Sequence, residues 1–266
     1  MPSISPAACS WPASISSSKE WALATFKILI QYDGTPFHGW QIQKDGATIQ
    51  GKLREAIYSL FGEKVSVFGS GRTDAGVHAF GQVASFTLSR KIKPMNLAPA
   101  LNAHLPPEIR VISARATHEE FHAQKDAKGK KYRYLFLNTA IPSPLYQNRA
   151  WWVRRPMDAN KMRNEARALL GAQDFKVFQA SGANTKTTLR EIYSAEIIER
   201  PPLIGLEILG NGFLKQMVRG IAGTLAHVAT GRAPLGIISQ LIKTGNRQAL
   251  PPTAPAHGLY LVRVYY

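Results

Sequence analysis

A lone carboxylate, Asp74, follows Arg72-Thr73 and precedes Ala75-Gly76 in the run GSGRTDAGVHA at residues 69–79 of a strongly basic chain. Small residues around it let the backbone turn tightly and leave the carboxylate open to a ligand. An Asp in a turn often serves only to bond its own backbone. In a chain built to meet a polyanion it has a second use, as a nucleophile or a carrier of protons. Three other side chains join it as candidates. Arg72 could contact phosphate. Tyr132, in the run KGKKYRY at residues 128–134, sets an aromatic ring among lysines, as a stacking platform for an unstacked base requires. Arg219, on the shoulder of an apolar stripe formed by Val218, Ile221, Ala222, Leu225 and Ala229, could pair with a partly buried Asp74 and hold it ionised and oriented. Plain structural roles compete with each. Arg72 could be a surface contact and Arg219 a snorkelling side chain, while Tyr132 shares strand parity with Tyr134 and Phe136, as core residues do.

These groups need a scaffold, and the periodicities predict one of α+β class. Residues 25–32 alternate like a strand, and a helix follows at 48–60 with Thr48 as its N-cap. Strands are expected at 64–68, 82–88 and 109–117, with a helix at 95–103, which makes the order β-α-β-β-α-β of a ferredoxin-like unit. The second half repeats that order, with strands at 130–138, 189–200, 203–210 and 258–265 and helices at 158–170 and 213–229. Two ferredoxin-like domains, 24–120 and 121–266, would join their antiparallel sheets into one long sheet, with helices on one side and a basic cleft over the other. Residues 1–23, rich in Ser and Pro and without arginine, read as a disordered tail.

Composition narrows the partner. Thirty-three Lys and Arg stand against 17 Asp and Glu, for a net charge of +16, and the pI is near 10.1. Ten basic and two acidic residues fall between positions 125 and 163. Such an excess favours nucleic acid or another anionic surface. The one cysteine, Cys9, excludes an internal disulfide and a cysteine metal cluster, and points to reducing cytosol. No apolar run approaches a membrane span, and a secretory signal is not expected at the N-terminus.

The string GSGRTDAGVHA resembles the signature of the TruA family of tRNA pseudouridine synthases. The resemblance extends over residues 25–266 through YDGTPFHGWQIQ at 32–43, FHA at 121–123, KGKKYRY at 128–134, NGFLKQMVR at 211–219 and GLYLVRV at 258–264, in the family order. It implies that Asp74 is the catalytic residue. It further implies that Tyr132 packs on the target uracil, that Arg219 neighbours the Asp and that Leu259 lines the uracil pocket; Arg72, by its own chemistry beside the Asp, could pair with phosphate or fill the space left by a flipped base. By the same resemblance the protein is a cytoplasmic homodimer acting on uridines thirty-eight to forty of the tRNA anticodon stem-loop. The reaction breaks the bond from ribose to ring nitrogen, turns the uracil and rejoins the ribose at carbon five, so it needs no redox change, cofactor or metal. Two departures stand out. Gln124-Lys125 follow FHA where the family often has an arginine, and Lys215-Gln216 replace an aromatic and an amide.

Two other classes compete. A ferredoxin-like sheet bearing aromatics would also suit a non-catalytic RNA-binding module, which gains nothing from a carboxylate facing phosphates. The run His118-Glu119-Glu120-Phe121-His122 matches H-E-x-x-H, a zinc hydrolase pattern that works only on a helix. Here it lies between strand-like stretches, so metal binding is not expected.

Overall fold

Burial of Phe26, Ile28 and Ile30 on one side of β1 (Ala24–Tyr32) anchors the first layer of the core. The Thr48 hydroxyl then accepts the Gly51 N–H and starts α1 (Ile49–Phe61), whose buried stripe is Ile49, Leu53, Ala56, Ile57 and Phe61. The computed structural model describes residues 24–90, 92–182 and 185–266, so the tail expected at 1–23 lies outside the described residues. The chain continues through β2 (Phe68–Gly69), β3 (His78–Leu88), α2 (Pro94–His104), β4 (Ile109–Thr117), β5 (Gly129–Leu137), β6 (Trp151–Trp152) and α3 (Ala159–Ala166). It ends through β7 (Gly171–Asp174), β8 (Leu189–Arg200), β9 (Leu203–Gly210), α4 (Met217–Ala229), α5 (Ile237–Thr244) and β10 (Leu259–Tyr265).

The architecture is α+β, with ten strands in one mixed sheet. Its order is β4-β1-β3-β10-β5-β9-β8-β7, with β2 on β3 and β6 on β5. The sheet is long and continuous, as expected, but it is not wholly antiparallel. Strand β10 is antiparallel to β5, with Leu259 opposite Tyr134, and this fixes its direction. At the seam it therefore runs parallel to β3, with Tyr260 opposite His78 and Leu261 opposite Ala79, and β6 is likewise parallel to β5. The strand expected at 64–68 shrinks to two residues. Strand β2 pairs only with Ser85 and Ala84, because the chain then leaves the sheet to form the Asp74 loop and β10 takes over the other end of β3.

The helix expected at 213–229 begins only at Met217, after Gln216 in a left-handed conformation with φ 61°. In the helix expected at 158–170, Asp158 is the N-cap, accepting from the N–H groups of Asn160 and Lys161, and a 3₁₀ turn at Arg167–Leu169 completes the element. Periodicity did not point to α5, β6 or β7. Helix α4 packs on the face of β5 that carries buried Tyr132, Tyr134 and Phe136.

At the seam, β3 and β10 stay in close backbone approach just past their two paired residues. A Cβ on Gly81 would lie 2.4 Å from the Val262 carbonyl oxygen, closer than carbon and oxygen can stand. Gly81→Ala is expected to destabilise the fold by about 1–3 kcal/mol, as overpacking does. Chemical denaturation at constant m-value should show the lower midpoint.

Candidate active site

The loop carrying Asp74 is tied to the sheet on both sides of the carboxylate. The Ser70 N–H donates to the Val83 carbonyl at 2.8 Å, and the Gln82 side-chain amide donates to the Gly71 carbonyl at 2.9 Å. The Thr73 hydroxyl and the Tyr32 phenol meet at 2.8 Å in the interior, while the Thr73 carbonyl accepts the Trp40 N–H at 3.0 Å. Beyond Asp74 the turn closes through its own carbonyl, which accepts from Val77 N–H at 3.2 Å. Thr73 before Asp74 and Val77 after it are thereby fixed, and the carboxylate projects from a mount held on both sides.

Arg219 of α4 donates from Nη1 to Asp74 Oδ2 at 2.8 Å and from Nε to the Ala254 carbonyl at 2.9 Å. The Ala254 N–H returns a bond to the Arg219 carbonyl at 3.1 Å. The two charged side chains are 27% and 16% exposed, so the pair is partly desolvated and remains reachable. The second oxygen, Oδ1, has no hydrogen-bond partner among the described residues. One oxygen is therefore held and the other is open to a reactant.

Tyr132 lies in β5 between Leu261 of β10 and Ile208 of β9, buried, with its ring edge-on to Phe213 at 5.0 Å. Burial, then the nearby Tyr32 and Asp74, pushes its phenol well above the usual tyrosine range, so it stays neutral. Leu259 is buried opposite Tyr134. The Tyr134 hydroxyl donates to the Pro255 carbonyl at 2.8 Å, and only a glycine fits at 258, where a Cβ would lie 2.6 Å from the Tyr134 ring. That clamp sets the 254–259 segment, which supplies both the carbonyl for Arg219 and the side chain of Leu259.

Asp74, Arg219, Tyr132 and Leu259 thus gather on the face of the sheet that carries α4, not over the opposite face, because Arg219 must reach the carboxylate from that helix. Arg72 is exposed at the lip and makes no hydrogen bond or ion pair among the described residues. Sequence reading missed Tyr32, Gln82, Tyr134 and Ala254. Strand parity marked Tyr134 as core, but nothing local could signal that a distant carbonyl would fix an arginine.

The H-E-x-x-H run forms no helix. Its residues turn after β4, with Phe121 N–H donating to the His118 carbonyl at 3.1 Å and His122 packed on Phe68 with ring centres 4.6 Å apart. Among the described residues no three His, Cys, Asp or Glu side chains cluster as metal ligands. No helix among them is long and apolar enough to cross a membrane.

Residues 28–124 and 166–266 match the family model described as tRNA pseudouridine synthase. The chain belongs to the TruA family of tRNA pseudouridine synthases. It is 44% identical over 241 residues to the tRNA pseudouridine synthase A of Ruminiclostridium cellulolyticum, covering 90% of this chain and 98% of that one. It is 43% identical to the synthase A of Pelobacter propionicus, over 92% and 100% of the two chains, and 43% identical to that of Bdellovibrio bacteriovorus, over 90% and 94%. Members of this family are isomerases, which agrees with a site built on one oriented carboxylate.

The mount of the TruA carboxylate has a pH signature. Burial raises the Tyr32 phenol to about 12, against the smaller opposing pull of its bonds to Thr73 and Gln82. A phenol in the unfolded chain ionises near pH 10. The stabilisation is therefore complete below about pH 10 and is lost as pH rises through about 12. Tyr260, raised to about 12, acts in the same sense. Thermal midpoints should be flat up to about pH 10 and then fall, and Tyr32→Phe should make that fall shallower.

Proposed function

We propose that this protein isomerises uridine to pseudouridine in the anticodon stem-loop of tRNA, at the positions thirty-eight to forty that its TruA membership suggests, with Asp74 as the nucleophile. The observation that carries this reading is the Asp74 carboxylate, with one oxygen held by Arg219 at 2.8 Å and the other free, next to the buried ring of Tyr132 in a chain of net charge +16.

In the reaction the bond from ribose carbon one to uracil nitrogen one breaks and a bond from ribose carbon one to uracil carbon five forms. Carbon five gives up its proton, nitrogen one takes one, and no electrons enter or leave. In the nucleophilic step the fixed carboxylate oxygen bonds to ribose carbon one as the bond to nitrogen one breaks, the freed uracil turns, and carbon five then bonds to carbon one and expels the carboxylate. Tyr132 and Leu259 supply the flat and apolar surfaces for the ring. Arg219 directs the attacking oxygen, and Arg72, unpaired at the lip, enters the space vacated by the extruded base.

Each half of the sheet supports a ferredoxin-like reading. Strands of the first half lie in the order β4-β1-β3-β2 and those of the second in the order β10-β5-β9-β8, which is the same arrangement twice. We take these as domains 24–120 and 121–266, with the basic cleft between them admitting the RNA. The protein acts as a cytoplasmic homodimer in this reading.

Unmodified tRNA carrying tritium at carbon five of uridine tests the reaction directly. Wild type should release label, and Asp74→Ala and Asp74→Asn should lower the rate by more than about 10⁴-fold, as loss of a nucleophile does. No release by wild type, or release by either variant equal to that of wild type, would defeat the proposal.

A further inference from the structure

Three cations of the second half lie close together along β5, and they differ in what neutralises them. Lys131 and Arg133, on one face of the strand, both form ion pairs with the buried carboxylate of Glu207. Lys130 shares the opposite face with Tyr132, and it makes no ion pair or hydrogen bond among the described residues. The charge that acts on it is another cation, Arg190 of β8, which opposes its protonation. Arg190 spends two bonds on the carbonyls of Thr187 and Leu189 and meets no carboxylate among the described residues.

Two glycines place this pair beside the active site. The Lys130 ammonium lies 3.3 Å from where a Cβ of Gly71 would stand, directly before Arg72 in the catalytic loop. Arg190 Nε lies 3.5 Å from where a Cβ of Gly212 would stand, directly before Phe213, the residue against which Tyr132 packs. The two cations thus flank the Tyr132–Phe213 floor, and bare backbone rather than side chain faces each of them. Burial lowers the proton affinity of both groups, and the neighbouring charge of Arg190 lowers that of Lys130 further. Two desolvated positive charges with no counter-ion cost stability unless an anion joins them.

We propose that Lys130 and Arg190 form a seat for one backbone phosphate of the RNA strand carrying the target uridine. The inference rests on the RNA substrate proposed above and adds the site that fixes the strand's register, so that the base enters over Tyr132. A phosphodiester fits both cations at once: the guanidinium offers paired N–H donors and the ammonium a point charge. Both are positioning residues, since neither reaches Asp74.

The test uses a fluorescent anticodon stem-loop RNA and a set of the same RNA, each with one phosphate near the target replaced by a neutral methylphosphonate. Lys130→Gln should weaken binding of the natural RNA about tenfold and reduce its salt slope by about one. Lys130→Arg should retain most of the affinity. One methylphosphonate position should weaken wild type yet add nothing to Lys130→Gln, and Arg190→Gln should be blind to the same position. Thermal midpoints of both Gln variants should not fall, whereas a purely structural lysine would lower them. Unchanged affinity and salt slope, or additive losses at every phosphate, overturn the seat. Tritium release keeps the two proposals apart. Phosphate coupling without release by wild type leaves the seat standing and removes the isomerase, while release without coupling does the reverse.

Discussion

The ion pair between Asp74 and Arg219 is the interaction on which the rest of the site depends. Its partners are 145 residues apart in the chain and come from opposite halves of the sheet. The pair forms only if β3 and β10 meet at the seam and if α4 is seated on β5. Breaking one partner of such a pair leaves a charge partly desolvated, at a cost of about 3–5 kcal/mol when burial is complete and less here. The fold holds the pair from both ends. Thr73 is pinned to Tyr32 and Trp40 on one side, and Arg219 to Ala254 on the other. The single oxygen left open is thus aimed by structure already paid for elsewhere in the molecule.

The surrounding electrostatics are uneven in an instructive way. Several cations away from the site have an acid beside them: Glu207 with Lys131 and Arg133, Asp33 with Arg149, Glu199 with Arg163. Along the lip and floor of the site, Arg72, Lys130 and Arg190 have no such companion among the described residues. In the proposed reading a polyanionic substrate supplies the missing charge, so these unpaired cations are the ones that gain most on binding. Tyr132 between them stays neutral, because burial makes its ionised form costly. It offers a ring and not a proton donor tuned to neutral pH.

Much of this was legible in the chain. Alternation placed β4, β8 and β9 at their observed residues, and Thr48 marked a helix start, because those signals are local: side-chain parity and a cap bond within one turn. The expected strand at 64–68 failed for a non-local reason. Its pairing surface on β3 is shared with β10, a strand almost two hundred residues away, so only two residues remain to be paired. The late start of α4 failed for a local one that periodicity does not register, the left-handed backbone at Gln216.

Residue types and motif order by themselves determined the family, the basic character, the lone accessible carboxylate and the α+β class, since each follows from composition or from contacts a few residues long. Tertiary structure alone decided which arginine meets Asp74, which face of the sheet holds the site, that β10 runs parallel to β3, and that Lys130 lacks the acid its neighbours have. These depend on strand partners and on carbonyls brought from far along the chain, and no local pattern encodes where such distant groups will come to rest.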